Sequence, residues 1–279
     1  MRPRHRPDAQ AHHRQRAKAL NETEHPLETR TMRPRLVPLR DFLKLLTCAL
    51  PATVSAAPAS GDKATRQLRV CLVSGAQDSK PYSTDDSLAA LARYLETEHK
   101  MICALLPWDA ASAGFKGIEK LLEADAAVFF VRRKTPNPHN LDVLRRFFAS
   151  GKGFVALRST SHAWENWPDF DAEVLGAKYG GAKGGNFGNV EKLTRKPHPI
   201  WAGTEDFDTK CDIYRYGPVA PDVQVLMEGQ NQNGVMPVAW TRVNRGARLF
   251  HFALGYAYDM EKPSFRRIVA NALRWVSEK

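Results

Sequence analysis

Four short apolar runs, each followed by a segment of a different texture, restrict this chain more than any other feature. They are Leu68–Val73, Met101–Leu105, Asp125–Val131 and Phe154–Leu157. Each is too short for a buried helix and reads as a strand, and Phe154–Leu157 reads as a central parallel strand covered on both faces. Between them lie segments with helical spacing. Ser87–Glu98 carries Leu88, Leu91, Ala92 and Leu95, Phe115–Leu122 reads as a short helix, and Asn140–Ser150 turns Leu141, Leu144, Phe147 and Phe148 to one face. Strands alternating with helices predict βαβ units and a mainly parallel sheet between helical layers: an α/β three-layer sandwich. Further on, Val223–Met227, Pro237–Val243 and Arg248–Leu254 read as strands, with Asn244-Arg-Gly246 as the hairpin turn between the last two. Pro263 opens a terminal helix with Phe265, Ile268, Val269, Ala272 and Trp275 on one face.

The N-terminus has another character. Residues 1–31 are rich in Arg, His, Gln and Glu and nearly free of large apolar side chains, so they cannot offset their ordering entropy by burial. Met32 then opens a basic stretch with Arg33, Arg35 and Arg40, an apolar segment from Phe42 to Val54, and the small-x-small site Val54-Ser55-Ala56. This is the pattern of a signal peptide over 32–56, and the apolar core is too short to span a membrane. Translation from Met32 would make residues 1–31 a misassigned extension; a translated, disordered arm is the alternative. Residues 57–67 are a small polar linker, and 68–279 form one domain, large enough for one core. The expected location is secreted or periplasmic. Self-association as a homo-oligomer is open.

The formal charge of +11 is concentrated at the N-terminus. Residues 1–56 hold eleven Lys/Arg against five Asp/Glu, which leaves residues 57–279 at +5. No basic helix or aromatic-interleaved stripe accompanies that mild excess, so no nucleic-acid partner is expected. Beyond Ala56 the cysteines are Cys71, Cys103 and Cys211. An odd count argues against a disulfide framework, and buried free thiols are favoured over one bridge.

The chemistry is expected where Phe154–Leu157 ends. Arg158, Ser159, Ser161 and His162 follow at once, and open α/β sheets bind ligands just outside the carboxyl ends of their strands. His162 is the acid–base candidate, since imidazole titrates near neutrality; a loop-fixing hydrogen bond is its plainer role. Arg158 could orient a carbonyl, a carboxylate or hydroxyls through its fork of donors, or pair with an acid such as Asp212. Ser159 and Ser161 could bind hydroxyls or cap a turn. Trp164 and Trp167 could stack on a sugar ring or fill the core. Asp212 and Tyr214 could hold a polyol. His198 precedes Pro199 in a turn, where a structural role competes with a place in the cleft, and His251 sits in a strand, where a satisfied core histidine is the default. Gly176–Gly188 holds six glycines among thirteen residues, as a loop wrapping a ligand or a flap would. A metal needs three or four ligands in register; His162, His198, His251 and Asp212 show no motif spacing, so no metal is expected. No cofactor is indicated.

Several stretches together resemble the trehalose-utilisation, or ThuA-like, family. They are Phe129-Phe-Val-Arg-Arg133, Gly151-Lys-Gly-Phe-Val-Ala-Leu-Arg-Ser-Thr-Ser-His162, His198-Pro-Ile200, Asp212-x-Tyr214, Pro237-Val-Ala-Trp-Thr-Arg242, Leu254-Gly255, Pro263-x-Phe-Arg-Arg267 and Asn271-Ala-Leu-Arg-Trp275. The resemblance implies a flavodoxin-like sandwich similar to class I glutamine amidotransferases, and a role in carbohydrate metabolism. Those amidotransferases put a nucleophilic Cys at the strand-to-helix elbow. Here Arg158 stands there, and a permanently protonated guanidinium cannot be a nucleophile. The chain departs from the family twice: Leu-Gly-His reads Leu254-Gly255-Tyr256, and the acidic pair before the Tyr reads Cys211-Asp212. An imidazole and a carboxylate are thereby lost. The expected function is action on a small carbohydrate, by hydrolysis or isomerisation of a keto-sugar with His162 as acid/base and Arg158 polarising an oxygen. The alternative is a non-catalytic carbohydrate-binding or accessory protein.

Overall fold

A computed structural model describes residues 66–180 and 185–278. The extension 1–31, the signal peptide 32–56, most of the linker 57–67 and residues 181–184 of the glycine-rich run lie outside the described residues. Among those described, no helix is long and apolar enough to cross a membrane.

The chain order is β1 (Arg69–Gly75), α1 (Thr84–His99), β2 (Ile102–Asp109), β3 (Gly114–Phe115), α2 (Lys120–Glu123), β4 (Ala126–Val131), α3 (Pro138–Ala149) and β5 (Gly153–Leu157). Short strands follow: β6 (Ala177–Tyr179), β7 (Asn186–Asn189), β8 (Lys192–Arg195), β9 (Asp212–Tyr214) and β10 (Tyr216–Val219). The chain closes with β11 (Gln224–Asn231), β12 (Gly234–Asn244), β13 (Ala247–Phe252), α4 (Ala257–Met260) and α5 (Pro263–Ser277).

The main sheet runs β3-β2-β1-β4-β5-β13-β12-β11-β8. Its five central strands, β2, β1, β4, β5 and β13, are parallel, and β12, β11 and β8 extend it antiparallel. The parallel core therefore has the flavodoxin order, with its switch point between β1 and β4. Every residue of β4 and β5 is buried, as their apolar runs required. On one face Phe147 and Phe148 of α3 pack on Phe129 and Phe154, with ring centroids 4.9–6.4 Å apart. On the other, α5 lies along β4, β5 and β13. Its approach is close at Gly153, where a Cβ would sit 2.0 Å from the Val276 carbonyl oxygen. The hairpin forms as expected, with Arg245 and Gly246 at φ +51° and +82°.

One expectation changes and another is met. The helix expected over Phe115–Leu122 shrinks to α2, because Gly114–Phe115 pairs with β2 and the Phe115 N–H donates to Asn140 Oδ1 at 2.8 Å. The thiols of Cys71 and Cys103 are both free. Cys71 pairs in register with Ala104, and Cys103 with Val70, so the two thiols point to opposite faces of the sheet and cannot bridge.

Candidate functional site

The site grows from the elbow after β5. Arg158 has φ +45°, a left-handed conformation that costs a non-glycine residue of order 1 kcal/mol. The surroundings fix it. The Thr160 hydroxyl donates to the Phe129 carbonyl at 2.8 Å, tying the elbow to β4. Gly255, at φ +137°, runs so close that its own Cβ would lie 3.7 Å from Arg158 Cβ.

The guanidinium of Arg158 is fully buried. Nη1 donates to the carbonyls of Asp212, at 2.7 Å, and Ala253, at 2.8 Å, and Nη2 donates to the Asp212 carboxylate. Its centre lies 3.8 Å from the Tyr214 ring and 4.8 Å from the Tyr256 ring. Tyr256 donates to Asp212 Oδ1 at 2.5 Å, and Tyr214 shares a hydrogen bond of 2.8 Å with Tyr82. Of the two roles open to Arg158, the geometry gives the ion pair. Both Nη groups are spent on protein groups and the buried Nε has no partner, so the guanidinium positions Asp212 and Tyr214 and does not face a ligand oxygen. Asp212 and Tyr214 are committed to the same knot. Ser159 is wholly buried and is not among the residues lining the cleft beside this knot.

The two departures from the family pattern answer each other here. Cys211 donates its thiol hydrogen to Asp259 Oδ2 at 2.9 Å, and burial pushes that thiol up to about 12. The same carboxylate oxygen accepts from the Gly255 and Tyr256 N–H groups. An ionised acid at 211 could not donate there. Tyr256 supplies Asp212 with a donor where the family has an imidazole.

Beside this knot opens a cleft of about 340 Å³, small but within the range of ligand pockets. Ser161, His162 and Trp164 line it, together with Arg133, Trp167 and Tyr179. His162 stacks on Tyr179 with centroids 4.2 Å apart and meets the Tyr214 ring edge-on at 5.4 Å. Its carbonyl accepts from the Arg133 N–H at 3.0 Å. Burial pushes the imidazole down to about 3, and the charges of Arg133, Arg132 and Arg158 add to that. The ring is therefore neutral at ordinary pH. Its Nδ1 lies 3.3 Å from Ser161 Oγ. Ser161 in turn hydrogen-bonds Tyr216, whose hydroxyl lies 3.0 Å from Nε2 of the buried His251. Three side chains thus link His162 to the core. His251, held near 3 mainly by burial, anchors the chain as a neutral ring, with Nδ1 facing the Ala156 carbonyl without a well-formed hydrogen bond.

Trp164 lines the cleft but is buried, in T-shaped contact with Phe115 and Phe170. Trp167 is half-exposed and is the ring offered to the cleft, with its Nε1 donating to Glu173 at 3.0 Å. His198 is not brought to this place. It caps a short turn and abuts Trp275, on the end of α5 that packs against the amino end of β5, opposite the cleft. Among the described residues, no three His, Cys, Asp or Glu side chains converge on a metal position.

Sequence reasoning assigned no site role to Tyr82, Tyr179, Tyr216, Tyr256, Arg132 or Arg133. A signal existed for some. Arg132 and Arg133 directly follow an apolar strand, as Arg158 does, and Tyr216 shares the two-residue alternation of Tyr214.

A family model described as ThuA, trehalose utilisation, matches residues 69–276. A comparison with curated proteins finds no match. Among solved structures, the chain is similar to a ThuA-like protein from Bacteroides uniformis, with TM-score 0.58 and 17% identity over 79% of this chain and 95% of that one. It is similar also to a ThuA-like protein from Parabacteroides merdae, with TM-score 0.57 and 15% identity over 76% and 90%. A cold-adapted β-galactosidase from Rahnella sp. shares the fold over 75% of this chain and 31% of that one, with TM-score 0.50 and 11% identity. At such identities these likenesses show the fold alone.

Proposed function

This chain belongs to the ThuA, trehalose-utilisation, family, and from that premise we propose that the cleft beside His162 takes a small carbohydrate and acts on it through the neutral imidazole. The observation that carries the reading is His162 itself: half-buried, stacked on Tyr179, open to the cleft and held uncharged by burial and three arginines. A ring with so low a pKa holds no proton to give as imidazolium at neutral pH, so acid catalysis by a charged histidine is disfavoured. A neutral imidazole can accept a proton from a carbon beside a carbonyl, or donate an N–H bond to a carbonyl oxygen. Both suit isomerisation of a keto-sugar better than acid-assisted hydrolysis. Ser161 fixes which ring nitrogen faces the ligand, Trp167 and Tyr179 offer faces for C–H groups, and Arg158 keeps the wall rigid. Export through residues 32–56 belongs to the same reading; a mature N-terminus at Ala57 in the secreted or periplasmic fraction tests it.

Thermal unfolding of the full chain with mono- and disaccharides and their 3-keto forms tests the binding. A ligand of the folded state raises the melting temperature. A shift with a keto-sugar that shrinks in Trp167→Ala supports the site. Binding without turnover would favour the accessory-protein alternative, and no shift with any sugar would overturn the reading.

A further inference from the structure

We propose that the ligand of this cleft is a sugar carrying an anionic group, a carboxylate or a phosphate, held by Arg132 and Arg133 next to His162. The inference rests on the carbohydrate reading above and narrows its substrate class.

The two arginines leave β4 at its carboxyl end, beside the switch point between β1 and β4. Arg133 takes φ +46°, a second left-handed arginine at a strand exit of this site. Main-chain bonds hold it there: its N–H donates to the His162 carbonyl at 3.0 Å, and the next N–H, of Lys134, donates to the Ala163 carbonyl at 2.7 Å. The segment that presents the guanidinium is thus pinned to the segment that presents the imidazole. Arg133 lines the cleft, and both arginines act on the His162 ring.

Among the described residues, neither guanidinium has a hydrogen-bond or ion-pair partner. Their neighbours do. Arg158 pairs with Asp212, Lys134 with Asp78 at 3.2 Å, and Lys178 with Asp169 and Asp171 at 3.1 and 3.3 Å. Of the two carboxylates that line the cleft, Asp171 has a cationic partner and Glu165 only a hydroxyl donor. Asp171 accepts from the Ala172 and Tyr179 N–H groups as well as from Lys178, and Glu165 accepts from Thr135 Oγ1 at 2.9 Å. Arg133 is thus a cleft-lining cation without a partner among the described residues, Arg132 adds its positive charge beside His162, and each carries a planar donor fork suited to carboxylate or phosphate oxygens. The rest of the cleft suits a sugar ring, with Trp167 and Tyr179 in its lining for C–H contacts.

A bound anion would offset the field of Arg132 and Arg133 on His162. Of the other groups around that ring, Arg158 is already neutralised by Asp212, while His251, Tyr179 and Tyr214 carry no charge at neutral pH. Ligand binding would then raise the proton affinity of the imidazole, so that the substrate completes the base that acts on it.

Calorimetric titration of the full chain with D-glucuronate, D-glucose 6-phosphate, D-glucose and inorganic phosphate tests this, at low and high salt. At least one charged sugar should bind about tenfold or more tighter than glucose, lose most of that margin at high salt, and lose it also in Arg132→Gln/Arg133→Asn. Asparagine tolerates the left-handed backbone at 133, so the variant should keep its fold. The His162 ring, followed by NMR, should titrate higher with the charged sugar bound. Glucose binding as tightly as either charged sugar would overturn the anionic class and leave the carbohydrate reading standing. Inorganic phosphate binding as tightly as glucose 6-phosphate would overturn the carbohydrate reading and this inference with it, as would no binding by any of the four.

Discussion

Removing the carboxylate of Asp212 should destabilise the protein far more than removing any surface acid. Arg158 has no exposure, and its side-chain counter-charge is that one carboxylate, whose own side chain is only 13% exposed. Breaking a buried pair from one side leaves an uncompensated charge and costs about 3–5 kcal/mol. Two carbonyl acceptors and two aromatic faces remain around the guanidinium in Asp212→Ala, which places the expected loss near the lower end, about 3 kcal/mol. For a domain of this size that lowers the melting temperature by roughly 6–12 °C. Asp212→Asn keeps an acceptor for Arg158 and Tyr256 and should lose less. Asp142→Ala is the control: it removes the exposed i,i+4 partner of Arg146 and should cost no more than about 0.5 kcal/mol. Urea unfolding of the three variants beside the native chain measures the differences. A loss below about 1 kcal/mol for Asp212→Ala would show that Arg158 finds water or another anion, and the account of a spent, rigid guanidinium would fail.

Two further outcomes follow from the packing and the buried rings. Gly153→Ala puts a methyl group against the main chain of α5 and should destabilise by about 3 kcal/mol; Gly246→Ala meets nothing within 4 Å and should cost only the left-handed strain, about 1 kcal/mol. Chemical denaturation of both variants checks the contrast. His162 and His251 have pKa values near 3 in the folded protein, below their ordinary 6.5, so the unfolded chain binds the extra protons between those values. Their stabilising contribution is complete above pH 6.5 and is lost as the pH falls toward 3. Between pH 7 and 5 the fully buried His251 should account for about 2 kcal/mol of that loss, and half-exposed His162 for less. Unfolding curves across this range should steepen in pH dependence below 6.5, and His251→Gln should flatten them.

The sheet was legible because its strands announce themselves locally. Ala126–Val131 and Gly153–Leu157 are buried throughout, and no other local structure suits such short apolar runs. The alternation of strands and helices predicted parallel pairing but fixes no strand order, so the switch point emerges only from the fold. The start of α1 was not legible, because Thr84 joins the helix through tertiary bonds: its hydroxyl meets Ser74 Oγ at 2.7 Å and the Ala76 N–H at 3.0 Å. The polar cluster after Leu157 does lie at the carboxyl end of β5, beside a cleft, but the direction of each side chain was not legible. Arg158 turns inward because its acceptors are Asp212 and Ala253, 54 and 95 residues away, and nothing local reveals them. His198 meets Trp275 for the same reason. Tyr82, Tyr179, Tyr216 and Tyr256 escaped because each is an ordinary core residue by type, and only the fold gathers them with Tyr214 around one guanidinium and one imidazole.

The central claim is that neutral His162 does chemistry on a sugar in this cleft. The most direct test follows a panel of keto-sugars, neutral and acidic, by NMR with the full chain and with His162→Gln. The account predicts conversion by the native protein, slowed about 100-fold or more in the variant, while the variant still binds the same sugar. Equal rates in the two proteins, or no conversion of a sugar that both bind, would contradict it.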